Sequence, residues 1–216
     1  MDILFQDEDL IVINKPSGLL SIQDGYHPEL PNVKKILSEK LGRVWIVHRL
    51  DKETSGLVIF ALTSQAHRIL NEEFATRQVT KTYHTLITGL PAWVETTIDL
   101  PLRVDGDRQH RTVVDRAKGK PATTHITVIR TYLHTSLVTA HPETGYTHQI
   151  RTHLAALGYP IVGDALYHSL TDRSKAAPGP RVMLHASEVR LMHPITGQPI
   201  HWMDPLPPEF DQEFTP

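Results

Sequence analysis

Residues 44–62 read VWIVHRLDKETSGLVIFAL, which is two apolar runs separated by a polar stretch. Residues 45–47 and 57–62 predict two buried β-strands, because β-branched and aromatic side chains favour strands. The nine residues between them, 48–56, are mostly polar and predict a loop. A loop this polar either exposes its groups or satisfies them with partners. Residues 44–62 therefore predict a strand–loop–strand unit that carries chemical groups in its loop.

Further short strands are predicted on both sides of this unit. Residues 10–14 form an apolar run that ends at Lys15-Pro16-Ser17-Gly18, a turn in which proline fixes φ and glycine permits a positive φ. Residues 82–86, 123–128, 136–139 and 189–191 alternate or are β-branched, as strands do.

Three segments have helical spacing of their apolar residues. Residues 33–41 are followed by Gly42 as a stop signal, and a second helix has Ser64 as a candidate N-cap. The third, over residues 147–157, is expected to bury Ile150, Leu154 and Leu157, with Thr147 as its candidate cap and Gly158 closing it. Because the strands come in runs instead of alternating with helices, the predicted fold class is α+β. We expect a mixed, mostly antiparallel central sheet with flanking helices and loops.

Composition narrows the class of protein. The chain has 216 residues, of which 40% are hydrophobic and 21% are charged, so one large domain over residues 1–216 is expected. There is no cysteine, which excludes disulfides, thiolate zinc sites and thiol catalysis. No apolar run approaches the roughly 20 residues of a membrane span, and the acidic start MDILFQDEDL does not resemble a signal peptide. A cytoplasmic enzyme or binding domain without membrane contact is the expectation.

The charge is unevenly distributed along the chain. The formal net charge is -2, yet residues 1–9 and 204–216 each hold four acids and no base. The segment between them, residues 10–203, has 22 Lys and Arg against 16 acids, a net charge of +6. Residues 103–120, which we call the basic loop, hold six of these bases and three acids. On composition alone such a loop is first a solvated surface of mixed charge; it is compatible with phosphate contacts but does not establish them.

Asp51 is the first candidate for chemistry. It has Arg49 and Lys52 as basic neighbours and two hydroxyls, Thr54 and Ser55, shortly after it. Nearby positive charges and hydroxyl donors favour the ionised carboxylate, the form that acts as a nucleophile or a base. An Asx-type turn, with Asp51 bonded to backbone N–H groups near Gly56, is the structural alternative and has equal support from the local sequence.

The segment 145–153 is the second candidate. His148 and Arg151, three residues apart, are expected on one edge of the predicted helix near its positive end, where an anion binds favourably. That anion is either a substrate phosphate or a protein carboxylate, and the alternative is a surface helix whose His and Arg meet water.

Metal and nucleotide motifs are not found in the sequence. There are 14 histidines but no His-Glu-x-x-His, and His148 and His153 are five residues apart, poorly placed for one helical face. Phosphate-cradling glycine motifs and Gly-x-Ser-x-Gly are missing as well. No metal site and no cofactor are expected.

Five short strings occur in order along the chain: Lys15-Pro16-Ser17-Gly18; His48-Arg49-Leu50-Asp51 with Thr54-Ser55-Gly56; Lys81-Thr82-Tyr83; Gly119-Lys120-Pro121-Ala122-Thr123-Thr124; and Thr147-His148-Gln149-Ile150-Arg151 followed by residues 158–164. Together they resemble the RluA-type pseudouridine synthases over residues 3–203, and residues 184–186 and 193–194 fit as well. The resemblance implies the pseudouridine synthase catalytic fold, with no separate RNA-binding domain in this chain.

The resemblance also implies an activity: the isomerisation of uridine to pseudouridine in RNA, without cofactor or metal. The implied catalytic residues are Asp51, with Arg151 as the ion-pair partner of its carboxylate, and Tyr83, whose ring packs against the uracil. Ile150 is the implied apolar wall beside the carboxylate.

The implied partner is RNA, a tRNA or rRNA stem-loop whose target uridine leaves its stack, and the protein is expected to be a monomer. Arg49 is the candidate to fill the gap left by the flipped base. The remaining expected RNA contacts are His48, Thr54, His148, Arg108, Arg111 and Lys118.

One position departs from the family pattern. Tyr146 stands where the family usually has arginine, so a single hydroxyl and a ring replace a guanidinium fork at an expected RNA contact.

Two other functions are kept as alternatives. One is an RNA-binding protein on the same fold without catalysis, and the other is a phosphate-ester hydrolase that uses Asp51 with histidines and a divalent ion.

Overall fold

The computed structural model describes residues 1–168 and 178–214. The chain divides into two compact units. The first unit consists of Met1–Lys81 and Ala186–Pro205, and the second of Thr82–His185 and Leu206–Pro216. The boundary at Lys81 falls within a strand, between two residues of the Lys81-Thr82-Tyr83 string.

The strands in the described residues are β1 (Asp2–Gln6), β2 (Leu10–Lys15), β3 (Trp45–Ile46), β4 (Ser55–Ala61), β5 (Thr80–Thr88), β6 (Glu95–Asp99), β7 (Leu102–Arg103), β8 (Val113–Val114), β9 (Thr123–Thr131), β10 (Thr135–Pro142), β11 (Leu184–Met192) and β12 (Pro199–Met203). The α-helices there are α1 (Val33–Leu41), α2 (Ser64–Ala75), α3 (Gln149–Ala156) and α4 (Ala165–His168), and a 3-10 helix covers Pro208–Asp211.

The first unit is built around β4, which is buried at every residue from Ser55 to Ala61. Strand β4 pairs antiparallel with β2 on one side, and β11 is its neighbour on the other. The β2–β4 register places Lys15 opposite Gly56 and Leu10 opposite Ala61. The turn after β2 and the loop before β4 therefore lie at the same end of the sheet, which brings two of the sequence strings together.

Helices α1 and α2 flank the sheet of the first unit, and their ends are capped. Asn32 accepts a hydrogen bond from Lys35 N at the start of α1, and Gly42 ends that helix with φ 79. Helix α2 is capped by Thr63, which accepts from Ala66 N, so the prediction of Ser64 as the cap was wrong by one residue. Leu70 on α2 packs into an apolar core formed by residues of β2, β4 and β11.

The second unit has the strand order β5–β10–β9–β6, and these neighbouring strands pair antiparallel. Strands β7 and β8 form a separate two-stranded ribbon, which begins one residue before the basic loop. The core of this unit is a second apolar cluster, which includes Leu86, Val138 and Leu154.

Helix α3 differs from the prediction in two ways. It begins after His148, which is left-handed with φ 55 and makes no side-chain cap, so Thr147 is not the cap. All seven residues from Gln149 to Ala155 are buried, whereas the expected inward Leu157 is 37% exposed. The helix is therefore an interior element of its unit and not a surface helix whose charged groups meet water.

The α+β class with a mostly antiparallel sheet and few helices is confirmed. The chain divides into the two compact units described above. The expectation that residues 1–216 form one domain stays a prediction. None of the helices in the described part of the chain is long and apolar enough to cross a membrane.

Candidate active site

The turn after β2 holds the segment that follows Asp51. Lys15 has no exposed surface, and its Nζ donates to the carbonyls of Pro16 (2.9 Å), Leu19 (2.7 Å) and Lys52 (3.1 Å). Gly18, with φ 84, donates its N–H to the same Lys52 carbonyl at 2.8 Å. Because a buried ammonium must be satisfied by acceptors, Lys15 ties the turn and the loop into one piece.

The residues on either side of Asp51 are also anchored. Ser21 Oγ donates to the Leu50 carbonyl at 2.7 Å and lies 3.1 Å from Leu50 N, which donates to it. After Asp51, Thr54 N donates to the Asp51 carbonyl at 3.2 Å, and Thr54 is buried. Asp51 itself is half-buried, between the exposed Arg49 and Lys52. The backbone that carries its carboxylate is thus fixed from both sides.

His48 anchors the start of the loop. Its Nε2 accepts a hydrogen bond from Ile59 N of β4 at 3.0 Å, and its ring stacks on Phe74 of α2 with centroids 4.7 Å apart. Burial, together with the positive charge of Lys81, lowers the pKa of His48 to about 3. The imidazole is therefore neutral, with its proton on Nδ1. This places His48 against β4 and α2 as a support of the loop, and its expected contact with RNA stays a prediction.

The backbone at the end of the loop requires a glycine at position 56. Its φ is 108, and a Cβ built on it would lie 2.2 Å from the Ala186 carbonyl oxygen. Strand β11 thus approaches β4 so closely that only glycine fits.

In the second unit, Arg151 of α3 forms a bidentate ion pair with Asp164. The Nε–Oδ2 distance is 2.7 Å and the Nη2–Oδ1 distance is 2.8 Å. The two side chains are only 5% and 0% exposed. Of the two anions considered for this edge of the helix, a protein carboxylate, that of Asp164, is bound to Arg151. Asp164 belongs to the quoted string 158–164, but the sequence did not assign it a role.

Tyr167 of α4 covers one face of the same guanidinium. The Arg151 Cζ atom lies 5.2 Å from the centroid of the Tyr167 ring. The Tyr167 hydroxyl accepts from Thr112 N at 3.1 Å and lies 3.1 Å from His148 Nδ1. Burial raises the pKa of Tyr167, so the hydroxyl stays protonated. His148 is therefore bonded within its unit, and its contact with RNA stays a prediction.

The start of α3 is secured by Gln149. Its Oε1 accepts from Thr144 Oγ1 (2.7 Å) and from Tyr146 N (3.2 Å), and its Nε2 donates to the Thr123 carbonyl (3.0 Å). The position with the departure from the family pattern, Tyr146, is thus tied to the helix through its backbone and is half-buried.

Tyr83 and Ile150 are placed on rigid elements of the second unit. Tyr83 lies on β5, opposite Ala140 of β10, and is half-buried. Ile150 is 6% exposed on α3 and belongs to the apolar core. Their roles toward uracil stay predictions.

Part of the charge of the basic loop is compensated within the loop. Arg103 Nε lies 2.7 Å from Asp115 Oδ2, and Arg111 Nε lies 2.7 Å from Asp107 Oδ2. Arg111 also donates to the Leu166 carbonyl at 3.2 Å, and its side chain is only 13% exposed. Arg108 and Lys118 are exposed. Of Arg108, Arg111 and Lys118, the three expected RNA contacts in this loop, Arg111 is thus the one whose guanidinium is bound by other protein groups.

In the described part of the chain, one group of three residues has metal-ligand geometry: Asp7, Asp9 and His193. His193 Nδ1 accepts from Ile195 N and Thr196 N, so its Nε2 carries the proton and donates to Asp7 Oδ2 at 2.8 Å. Asp9 Oδ1 accepts from Thr63 Oγ1 at 3.0 Å, so hydrogen bonds within the first unit account for all three side chains.

Comparison with known proteins identifies the family to which the chain belongs. The family model described as RNA pseudouridylate synthase matches residues 9–156. The chain belongs to this family. The synthase is 38% identical over 204 residues to the dual-specificity RNA pseudouridine synthase RluA of Escherichia coli O157:H7, covering 94% of this chain and 92% of the relative. It is also 38% identical over 212 residues to the RluA of Pasteurella multocida, covering 97% and 94%.

Two solved structures agree with the fold of the synthase. Human RNA pseudouridylate synthase domain containing 1 has a TM-score of 0.77 and 28% identity, with 94% of this chain and 82% of that chain covered. Human RNA pseudouridylate synthase domain containing 4 has a TM-score of 0.76 and 27% identity, covering 96% and 89%. The family resemblance, the fold and the isomerase activity on RNA are confirmed.

Two supports of the site were missed by the sequence analysis of the synthase, Asp164 and Tyr167. Asp164 is the last residue of the quoted string 158–164, and Tyr167 follows three residues later, so their positions pointed to this region but not to a role. Nothing in a single sequence says that a carboxylate 13 residues after Arg151 returns to its guanidinium.

Proposed function

We propose that Asp51 is the catalytic residue of this RNA pseudouridine synthase. The observation that carries the proposal is the fixation of the loop: Lys15, Ser21 and Thr54 hold the backbone on both sides of one half-buried carboxylate. A catalytic carboxylate must be held in one geometry, and the bonds of Lys15, Ser21 and Thr54 hold the backbone that carries it.

The reaction requires that the uridine C1′–N1 bond breaks and a C1′–C5 bond forms. N1 gains a proton and C5 loses one, so the product is an isomer and no oxidant or water is consumed. Asp51 begins this sequence as an anion, either by attack on the nucleotide or by assisting departure of the base and removal of the C5 proton. Both routes use the same carboxylate at the same place.

The other roles come from the family resemblance and are part of the proposal. Arg151 is the counter-charge for Asp51, Tyr83 packs on the uracil, and Ile150 is an apolar wall. Arg49 is exposed in the loop, and its guanidinium plane is suited to stack in the place of a flipped base. Extruding a uridine costs a few kcal/mol, least in a loop or bulge.

The proposed substrates are structured RNAs, tRNA and/or rRNA, in which the target uridine flips out of a stem-loop. The RluA relatives are named dual-specificity RNA pseudouridine synthases, and this supports the proposal that more than one RNA is modified. We further propose that the protein acts in the cytoplasm as a monomer.

The test is release of tritium from 5-tritiated uridine in tRNA and in rRNA transcripts. The wild type is expected to release tritium, and Asp51→Asn is expected to bind the same RNA without release. Asp2→Asn changes an exposed carboxylate on β1 of the same unit and serves as the control. Tritium release by Asp51→Asn at the wild-type rate would overturn the role of Asp51, and release from neither RNA would overturn the proposed substrate class.

A further inference from the structure

Asp164 fixes the direction in which Arg151 presents its charge. Its carboxylate oxygens accept hydrogen bonds from Nε and Nη2 of the guanidinium at 2.7 and 2.8 Å. This is the geometry of two parallel N–H···O bonds. Such a pair allows the planar group only one orientation relative to the carboxylate. Asp164 therefore also sets the direction in which the other edge of the guanidinium, between Nη1 and Nη2, points.

Asp164 is itself held in place. Its Oδ1 also accepts from Leu166 N at 3.2 Å, and its carbonyl accepts from His168 N at 3.1 Å. The Tyr167 ring then covers one face of the guanidinium. Arg151 is thus held along one edge and on one face by a single short segment, residues 164–168.

We propose that Asp164 is a positioning residue for the isomerisation, which acts by orienting Arg151 and by compensating part of its charge. The proposal rests on the role of Arg151 given above. It goes beyond that role because it assigns a function to a carboxylate that touches neither the RNA nor Asp51 in the proposed scheme.

A double-mutant cycle tests the proposal with four proteins: the wild type, Asp164→Asn, Arg151→Met, and the double variant. The readouts are the single-turnover rate constant at saturating RNA and the RNA dissociation constant, measured well below the unfolding temperature. Asp164→Asn is expected to lower the rate constant by about 10- to 100-fold, the size of effect that a misplaced group has on a positioned reaction. The RNA dissociation constant is expected to stay unchanged.

The double variant is expected to react no more slowly than Arg151→Met, because Asp164 has nothing left to orient. A further fall in rate, multiplying the two single effects, would overturn the proposal. A wild-type rate constant for Asp164→Asn would overturn it as well.

Asp164→Asn leaves a buried guanidinium with less compensation and is the variant most at risk of unfolding. Asp164→Glu keeps the charge but moves the carboxylate by one methylene, so it is expected to fold and to lose rate in the same direction. A wild-type rate for Asp164→Glu then counts against the proposal. The matched control is Glu209→Gln, which removes the carboxylate 3.0 Å from Arg181 Nε in the same unit, and no change in rate is expected.

The cycle separates this inference from the proposed function. If Asp51→Asn and Arg151→Met lose activity while the cycle is additive, only the role of Asp164 fails. If Asp51→Asn is active, the proposed function fails first.

Discussion

Arg151 and Asp164 form a buried pair in which both carboxylate oxygens meet the guanidinium, at 2.7 and 2.8 Å. Removing one partner of such a pair leaves the other as an uncompensated buried charge. The consequence reaches beyond catalysis, because any change at Arg151 also changes the environment of Asp164.

We expect Arg151→Met to lower the free energy of unfolding by about 3–5 kcal/mol, since breaking a buried pair costs this much. Urea unfolding of Arg151→Met and of Arg151→Met with Asp164→Asn checks the expectation. The double variant has neither buried charge and is expected to recover most of the loss. A single variant as stable as the wild type would mean that Asp164 is solvated or neutralised in another way.

Asp51→Asn is expected to lose isomerisation by at least about 100-fold, because the amide has neither the charge nor the nucleophilicity of the carboxylate. The fold is expected to be retained, since the bonds that anchor the loop use Lys15, Ser21 and backbone groups. Tritium release and RNA affinity are measured on the same preparation. Weaker RNA binding that accounts for the whole loss of rate would contradict a chemical role.

His48 makes stability depend on pH. The folded protein keeps His48 neutral down to a pKa of about 3, whereas the unfolded chain takes up its proton near pH 6.5. The unfolded state therefore binds more protons as the pH falls below about 6.5, and stability is lost in that direction, by about 1 kcal/mol from this group between pH 6 and pH 5.

The measurement is the difference in unfolding free energy between the wild type and His48→Gln across pH 7 to 5. The glutamine carbonyl is able to accept from Ile59 N, and it does not titrate. We expect the wild type to lose more stability than His48→Gln on acidification. His27→Gln, at an exposed histidine of the same unit, is expected to follow the wild type, and parallel curves for all three proteins would contradict the prediction.

Gly56→Ala is expected to destabilise the first unit by well over about 1 kcal/mol, because alanine is strained where φ is positive and the native backbone is incompatible with it. The new Cβ would in addition lie 2.2 Å from the Ala186 carbonyl oxygen. Gly197→Ala is the control, since Gly197 has φ 67 but nothing within 4 Å of the added atom. The thermal midpoint is expected to fall further for Gly56→Ala, and equal shifts would mean that the contact with β11 relaxes without cost.

Much of the fold could be predicted from the sequence because its signals are local. The apolar run before Lys15-Pro16-Ser17-Gly18 and the glycine after α1 mark a strand and a helix end by short-range chemistry. The burial of α3 could not be predicted as well, because its polar residues, among them Arg151 and His153, are buried together with its apolar ones. The spacing of the apolar residues also placed Leu157 on the inner side, whereas Leu157 is exposed.

The supports of the site depend on contacts between residues distant in the sequence, and the sequence alone does not reveal them. Lys15 reaches the Lys52 carbonyl and His48 reaches Ile59 N, across 37 and 11 residues. The sequence presented His48 and Arg111 as polar groups suited to RNA. Their bonds within the fold, to β4 and to Asp107, appear only when the chain is folded.

The last prediction concerns the basic loop, where the structure changes the choice of residues. Arg111 and Arg103 are paired with acids, while Arg108, Arg116 and Lys118 are exposed. Replacing these three exposed residues by alanine is expected to make the slope of log affinity against log salt shallower by about 2, at about 0.7 per phosphate contact for single strands. Binding is expected to weaken alike for most RNAs, because phosphate contacts position the RNA without reading its sequence.

RNA affinity from about 50 to 300 mM salt, the range over which counterion release changes affinity most visibly, checks the expectation. The control replaces Lys34, Lys35 and Lys40, three exposed residues of α1, and removes the same charge elsewhere. A smaller change of slope is expected for this control. Equal slopes for both variants would mean that net charge alone acts on the RNA, and a slope equal to that of the wild type would mean that the basic loop is a solvated surface.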